Sequence, residues 1–221
     1  MKLDKYLIVM IIMMLNSYLT YSYTAEEIIG KVKENLEKIE KFEADISINI
    51  ELENVNVPER RGKIFFQKPD STRYEIEGFS MMPKAGMGNY IAELLNLEAT
   101  LINSGEELIN GNSTIIIKII PNDNKSDVVL STLWIDKMDY TVIKSEITTK
   151  NNGTFEVESE YQLFENKYYL PISSIISFQV PKYKMPKAFT GDTRKQKEDK
   201  NPKSNTSRGK VNIKYNNYII N

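Results

Sequence analysis

A chain of 221 residues with 41% apolar and 27% charged residues suits one globular domain with a well-formed core. It contains neither cysteine nor histidine. That excludes disulfides, thiol nucleophiles, thiolate metal sites and the commonest general base. The formal charge of −1 hides an asymmetry: Lys182 to Lys210 holds ten basic and three acidic residues, so one basic segment is carried by an acidic body.

In chain order, residues 1–22 read as an export signal. Lys2 and Lys5 give the positive start, and Tyr6 to Leu15 is an uninterrupted apolar run, shorter than the roughly 20 residues a membrane-spanning helix needs. Thr20 and Ser22 fit the small-residue positions of a cleavage site, which starts the mature protein near Tyr23. A bacterial lipoprotein would need a cysteine there to carry acyl chains of its own, so the cleaved chain is expected to be soluble. Thr24 and Glu27 then form a capping box. Ile28, Ile29, Val32, Leu36, Ile39 and Phe42 recur at helical spacing and predict a helix from Ala25 to about Lys41.

The period next switches from helical to alternating. Phe42, Ala44, Ile46, Ile48, Ile50 and Leu52 alternate with polar residues, the pattern of a long strand with one wet face. Ile64 and Phe66 continue it after a polar turn, then Thr72, Tyr74 and Ile76. Further strands are predicted near Ala99 to Ile102, Thr114 to Ile120 and Val128 to Asp136. Ile143 and Ile147 mark the apolar face of the next strand. Phe155, Val157, Tyr161 and Leu163 mark that of the one after, across a hairpin at Asn151, Asn152 and Gly153. Leu170, Ile172, Ile176, Phe178 and Val180 line another strand, and Val211, Ile213 and Tyr215 the last. The fold class is therefore mainly β, an antiparallel twisted sheet of about nine to eleven strands that must close or be covered on its concave face. Two stretches break the pattern. Phe79 to Gly88 is apolar but interrupted by Pro83 and two glycines; it reads as a flap leading into a helical stretch from Asn89 to Leu97. Lys182 to Lys210 reads as a flexible polar excursion between the last two strands.

Motifs for chemistry fail on context. Ser207 and Lys210 have a Ser-x-x-Lys spacing but lie where nothing desolvates the lysine, and Asn122 to Asp127 lacks the glycine and glutamate of a calcium loop. Gly86 and Gly88 start a glycine-rich pattern that does not continue. Glu156, Glu158 and Glu160 share one side of a strand and read as a charged outer face. No catalytic residue, metal site, cofactor or nucleic-acid partner is expected.

The order of helix, long strand, Gly62-Lys-Ile-Phe-Phe-Gln-Lys-Pro69 and Arg73-Tyr74-Glu75 resembles the start of the outer-membrane lipoprotein carrier family, the LolA-like proteins. Leu133-Trp-Ile-Asp136 and the closing Gly209-Lys-Val-Asn-Ile-Lys-Tyr-Asn-Asn-Tyr218 extend the likeness over nearly all of residues 23–221. The resemblance implies an incomplete antiparallel barrel, covered by the N-terminal helix and a short helical lid. It also implies a monomeric periplasmic carrier for the acyl chains of lipoproteins or other lipids, with an inner-membrane release complex and an outer-membrane acceptor as partners. The family's carriers of triacylated lipoproteins place an arginine before the proline that follows the second strand, where it helps hold the lid closed. Lys68 stands there in this chain, and a lysine lacks the planar fork for several carbonyls at once.

With the carrier reading, the expected lid residues are Met81, Met82, Met87, Leu94, Leu95 and Leu97. They face Ile46, Ile48, Ile50, Phe66, Tyr74 and Ile76 on the sheet, and Lys68 is the lid-tethering position. Methionine is soft and unbranched and suits an irregular acyl surface. The alternative is an envelope-sensing or assembly module that uses the same concave sheet without transporting lipid.

Overall fold

The structure, a computed structural model, describes residues 23–52, 55–56, 58–68, 71–76, 89–123, 125–151, 153–181 and 206–221. The expected signal (1–22), the flap (Phe79 to Gly88) and most of the basic excursion lie outside the described residues. Among the described residues no helix is long and apolar enough to cross a membrane.

Helix α1 spans Ala25–Glu37. Thr24 Oγ1 accepts the Glu27 N–H at 3.2 Å and the Glu27 carboxylate accepts the Thr24 N–H at 2.8 Å, the reciprocal cap expected from the sequence. Replacing Thr24 by alanine removes one of these bonds and should lower the unfolding free energy by about 1 kcal/mol, read as a shift of the urea midpoint. The helix ends four residues short of its expected end at Lys41, because β pairing claims the backbone beyond it: the Glu40 carbonyl accepts the Lys68 N–H and Lys41 pairs with Gln67. Ile39 accordingly leaves the face shared by Ile28, Ile29 and Val32 and joins a different part of the core.

The remaining elements are β1 (Lys41–Leu52), β2 (Val55–Asn56), β3 (Arg60–Gln67), β4 (Ser71–Ile76), α2 (Asn89–Leu95), β5 (Ala99–Ile109) and β6 (Asn112–Pro121). They are followed by β7 (Val128–Asp136), β8 (Val142–Thr149), β9 (Gly153–Phe164), β10 (Tyr168–Pro181) and β11 (Thr206–Ile220). All strands belong to one antiparallel sheet in the order β4-β3-β1-β11-β10-β9-β8-β7-β6-β5, with β2 beside β1. The sheet is open, the incomplete barrel expected. Its edges are β4 and β5, which follow one another in the chain, so residues 77–98 connect one edge of the sheet to the other and carry α2 on the way.

The alternation read from the sequence becomes one inner face. Ile46, Ile48 and Ile50 on β1 stand opposite Tyr215, Ile213 and Val211 on β11, and all six are buried. The core falls into two clusters. The first gathers the inner residues of β1, β3, β9, β10 and β11. The second joins Ala25, Ile28, Ile29 and Val32 of α1 and Leu94 and Leu95 of α2 to Ile115, Ile117, Ile119, Leu133, Ile135 and Val142 of β6–β8. Fully burying one such Ile or Leu contributes about 1.5–3 kcal/mol, so the helices are held mainly by this second cluster. On the outer face Lys144 Nζ lies 2.8 Å from Glu156 and 4.0 Å from Glu158, over the Trp134 ring. The glutamate row is thus a solvated, partly neutralised surface.

Register shifts correct the alternation before β8 and within β10. In the turn before β8 the Asp136 carboxylate accepts the Met138 N–H at 2.7 Å and Tyr140 adopts a left-handed φ of 57°. The turn delivers Val142 opposite Ile135, while Lys144 already pairs with Trp134, so Val142 takes the inner position expected of Ile143. A bulge between Pro171 and Ser173 interrupts β10: Tyr169 and Pro171 before it and Ser174 after it line the space under α1, Leu170 stays buried in the first cluster as expected, and Ile172 is half-buried. Leu163, expected on the apolar face of β9, is 41% exposed. The last strand also begins earlier than expected. β11 pairs with β10 from Thr206, so residues 206–210 of the expected excursion are strand, and Ser207 and Lys210 are ladder residues opposite Val180 and Ser177.

Candidate functional site

A cavity of about 80 Å³ lies between the helical cover and the inner face of β8–β11. α1 contributes Val32, Asn35 and Leu36, and α2 contributes Ile91. The sheet side is built from Val142, Ser145 and Ile147 on β8, Val157, Ser159 and Tyr161 on β9, Tyr169, Pro171 and Ser174 on β10, and Tyr215 on β11. Tyr140 and Thr141 close the end beside the β7–β8 turn. The space exists because serine occupies inward positions on three neighbouring strands where β1 and β6 carry isoleucine. It is also where the two core clusters meet: Val32, Leu36 and Val142 belong to the second, Val157 and Tyr215 to the first. The Asn35 side-chain amide donates to the Asp139 carbonyl at 2.6 Å, pinning α1 to the β7–β8 turn.

Apart from the Asn35 amide, the polar side-chain groups that line this cavity are hydroxyls. Ser159 Oγ and Ser174 Oγ are hydrogen-bonded at 2.9 Å, and the Tyr161 and Tyr215 phenols line the same space. Burial pushes the Tyr215 phenol up to about 12, with the Ser174 hydrogen bond partly offsetting it. Tyr161 is raised further by burial and by the neighbouring Tyr215. Burial likewise raises Tyr74 and Tyr218, each with Tyr215 nearby. All four remain neutral phenols throughout the physiological range. Among the described residues that line the cavity none carries a charge; Asp139, on the turn that closes it, adds to the upward shifts of Tyr161 and Tyr169.

The site residues expected from the sequence divide into groups. Ile46, Ile48 and Ile50 are buried on the inner face of β1, and Phe66, Tyr74 and Ile76 are half-buried against the same first cluster. The Tyr74 hydroxyl is buried without a hydrogen-bond partner among the described residues. Leu94 and Leu95 are buried too, but in the second cluster with α1 and β6–β8, so they do not face those six sheet residues directly. Leu97 lies beyond the end of α2 and is 37% exposed. Met81, Met82 and Met87 lie outside the described residues. Lys68 follows β3, and its ammonium donates to the carbonyl of Glu37, the last residue of α1, and lies 3.3 Å from the exposed Glu40 carboxylate. α1 has no basic residue in its own last turn, so Lys68 supplies the cation at the negative end of the helix, an interaction worth about 0.3–1 kcal/mol. The sequence reading passed over Asn35, Ser145, Ser159 and Ser174. Carrying the strand alternation through the serines, rather than through apolar residues alone, is the signal that finds them.

No family model and no curated protein matches the chain. Solved structures do. A domain from Vibrio parahaemolyticus named for outer-membrane lipoprotein sorting superposes with a TM-score of 0.55 at 12% identity, over 89% of this chain and 93% of its own. A DUF1329 family protein from Desulfovibrio piger gives 0.57 at 10% identity, over 90% and 94%. A LolA superfamily protein from Nitrosomonas europaea gives 0.53 at 10% identity, also over 90% and 94%. The chain thus has the LolA-like fold: an open antiparallel sheet with helices over its concave side.

Proposed function

We propose that this protein is an exported carrier that binds the acyl chains of lipoproteins or other lipids between its sheet and its helical cover and shuttles them across the periplasm towards the outer membrane. It acts by binding and not by catalysis. The observation that carries this reading is the cavity placed between sheet and cover at the junction of two apolar clusters. In this reading residues 1–22 are the removed export signal and residues 23–221 the working domain. The name of the Vibrio parahaemolyticus structure, which shares the fold, supports the same cargo class.

Size sets a condition on how cargo enters. Burying one chain of about 13 methylenes gains roughly 10 kcal/mol at ~0.8 kcal/mol each. Yet a cavity of about 80 Å³ is little more than half of the ~150 Å³ that admits benzene in an engineered protein core. Loading therefore requires the cover to move, replacing its contacts with lipid contacts. That exchange keeps the net affinity low enough for release. α1, α2 and residues 77–98 form the cover in this cycle. Lys68 holds the C-terminal end of α1 to the end of β3.

Native mass spectrometry of the purified protein tests the proposal and should find bound lipid. Recovery without lipid, together with no binding of a fluorescent fatty-acyl probe, overturns it. Met81→Asp combined with Met82→Asp should abolish probe binding while the melting curve stays unchanged, because two carboxylates cannot be buried against acyl chains without partners. Unchanged probe affinity in that variant would place the site elsewhere.

A further inference from the structure

The two most exposed large apolar side chains among the described residues, Met138 at 89% and Leu108 at 71%, lie at the same end of the sheet. Leu108 precedes the β5–β6 turn and stands opposite Ser113. The Ser113 carbonyl accepts the Lys137 N–H at 3.0 Å, which sets the β7–β8 turn, with Met138 on it, beside that hairpin. Met138 is displayed by a braced backbone. The Asp136 carbonyl accepts the Tyr140 N–H at 3.0 Å, the Thr141 carbonyl accepts the Asp136 N–H at 2.9 Å, and the Asp139 carboxylate accepts the Thr141 hydroxyl at 2.7 Å. A fixed turn loses little freedom on binding, and an apolar side chain at its tip has the form of an interface anchor.

The charges around the pair select the kind of partner. Glu106, Glu107, Asp136 and Asp139 stand on these two turns and their strands. Against them are Lys137, paired with Glu106, and Lys38 on the α1 side, whose ammonium donates to the Asn35 side chain at 2.9 Å. A tip that enters an anionic bilayer surface carries an excess of lysine and arginine; this one carries the opposite excess. We infer that Met138 and Leu108 anchor a protein partner through an apolar pocket rimmed by basic residues, and that docking opens the cavity. The residues after Met138 make the second step. The Asp139 carbonyl accepts the Asn35 amide of α1 at 2.6 Å, and Tyr140 and Thr141 close this end of the cavity. A pull on the turn therefore acts on the helix tether and on the cavity wall together. The coupling rests on the carrier reading; the docking surface does not.

Replacing Met138 in the full chain by a benzophenone amino acid and irradiating its native cells should cross-link the chain to a protein. The same replacement at Val129, exposed at the other end of the sheet, is the control. Cross-linking only to phospholipid, only to a second copy of this chain, or no more strongly than from Val129 overturns the inference. The cross-linked protein is then purified and its Kd for this chain measured. Met138→Asp with Leu108→Asp should raise Kd about tenfold or more, because carboxylates entering an apolar pocket lose hydration without gaining partners. Both side chains are exposed, so the melting curve should not move. Raising salt from about 0.05 to 0.5 M should weaken binding several-fold. An unchanged Kd in the variant, or binding that ignores salt, overturns the inference. For the coupling, the partner should speed release of the bound fluorescent acyl probe about tenfold. Asn35→Ala lacks the tether, so it should release the probe faster on its own and gain less from the partner. No acceleration by the partner, or a folded Asn35→Ala that behaves as the unaltered protein, overturns the opening step. If the probe never binds, the carrier reading and the opening step fall together, while the cross-link and the Kd still decide the docking surface.

Discussion

Alanine at Ile213 is expected to lower the unfolding free energy by about 2–5 kcal/mol, a large share of the roughly 5–15 kcal/mol that holds a domain of this size together. Ile213 is fully buried and lies in β11, opposite Ile48 of β1 on one side and Ser174 of β10 on the other. Both flanking ladders fix the backbone, so the walls cannot collapse into the space the truncation leaves. The cavity term then adds to the lost transfer free energy. A urea titration reads the effect as a lower midpoint at unchanged slope. A loss below about 1 kcal/mol would mean that the wall between β1 and β10 is loosely packed, since close packing is what makes truncation costly.

The second large effect is expected at Gly62. It stands on the inner face between Ile46 of β1 and Ile76 of β4. A Cβ there would lie 2.2 Å from the Glu75 carbonyl oxygen and 2.8 Å from the Ile76 Cα. Both are backbone atoms, so no side-chain rotation relieves the clash and one strand must move. β3 is held by β1 as well as by β4, whereas β4 (Ser71–Ile76) pairs with β3 alone among the described strands. β4 therefore gives way. Gly62→Ala should cost about 1–3 kcal/mol, remove hydrogen-exchange protection from β4, and draw Tyr74 and Ile76 away from the first cluster, weakening acyl-probe binding. Protected β4 amides in the variant would show that the pair absorbs the strain in place.

Strands and cap were legible where a single local rule acts. The alternation from Phe42 to Leu52 and the Thr24–Glu27 cap need only neighbouring residues, and both appear as read. The errors fall where distant parts of the chain decide. The end of α1 is set by Lys41 pairing with Gln67, and the inner position of Val142 by its register against Ile135. Neither is visible in a short window of sequence. The grouping of the site was harder still. Leu94 and Leu95 are as apolar as Ile46 or Ile48, and pattern alone does not say which of two clusters receives them. The serines escaped notice because a serine inside a strand is read as neutral until its side of the sheet is known. Tyr161 and Tyr215 were read as apolar-face residues, and what brings their hydroxyls near one another is the packing of β9, β10 and β11 side by side.

The position of β11 has a consequence for how the molecule comes into being. The strand that follows all the others in the chain is inserted near the middle of the sheet, joining β1 to β10 through partners such as Asp45 and Asn216. Until it is available, the part of the sheet built on β1, β3 and β4 has no ladder to the part built on β5–β10. Contacts so far apart in sequence also form slowly. In a nascent chain of this design the two parts of the sheet stay unjoined until residues 206–220 have been synthesised.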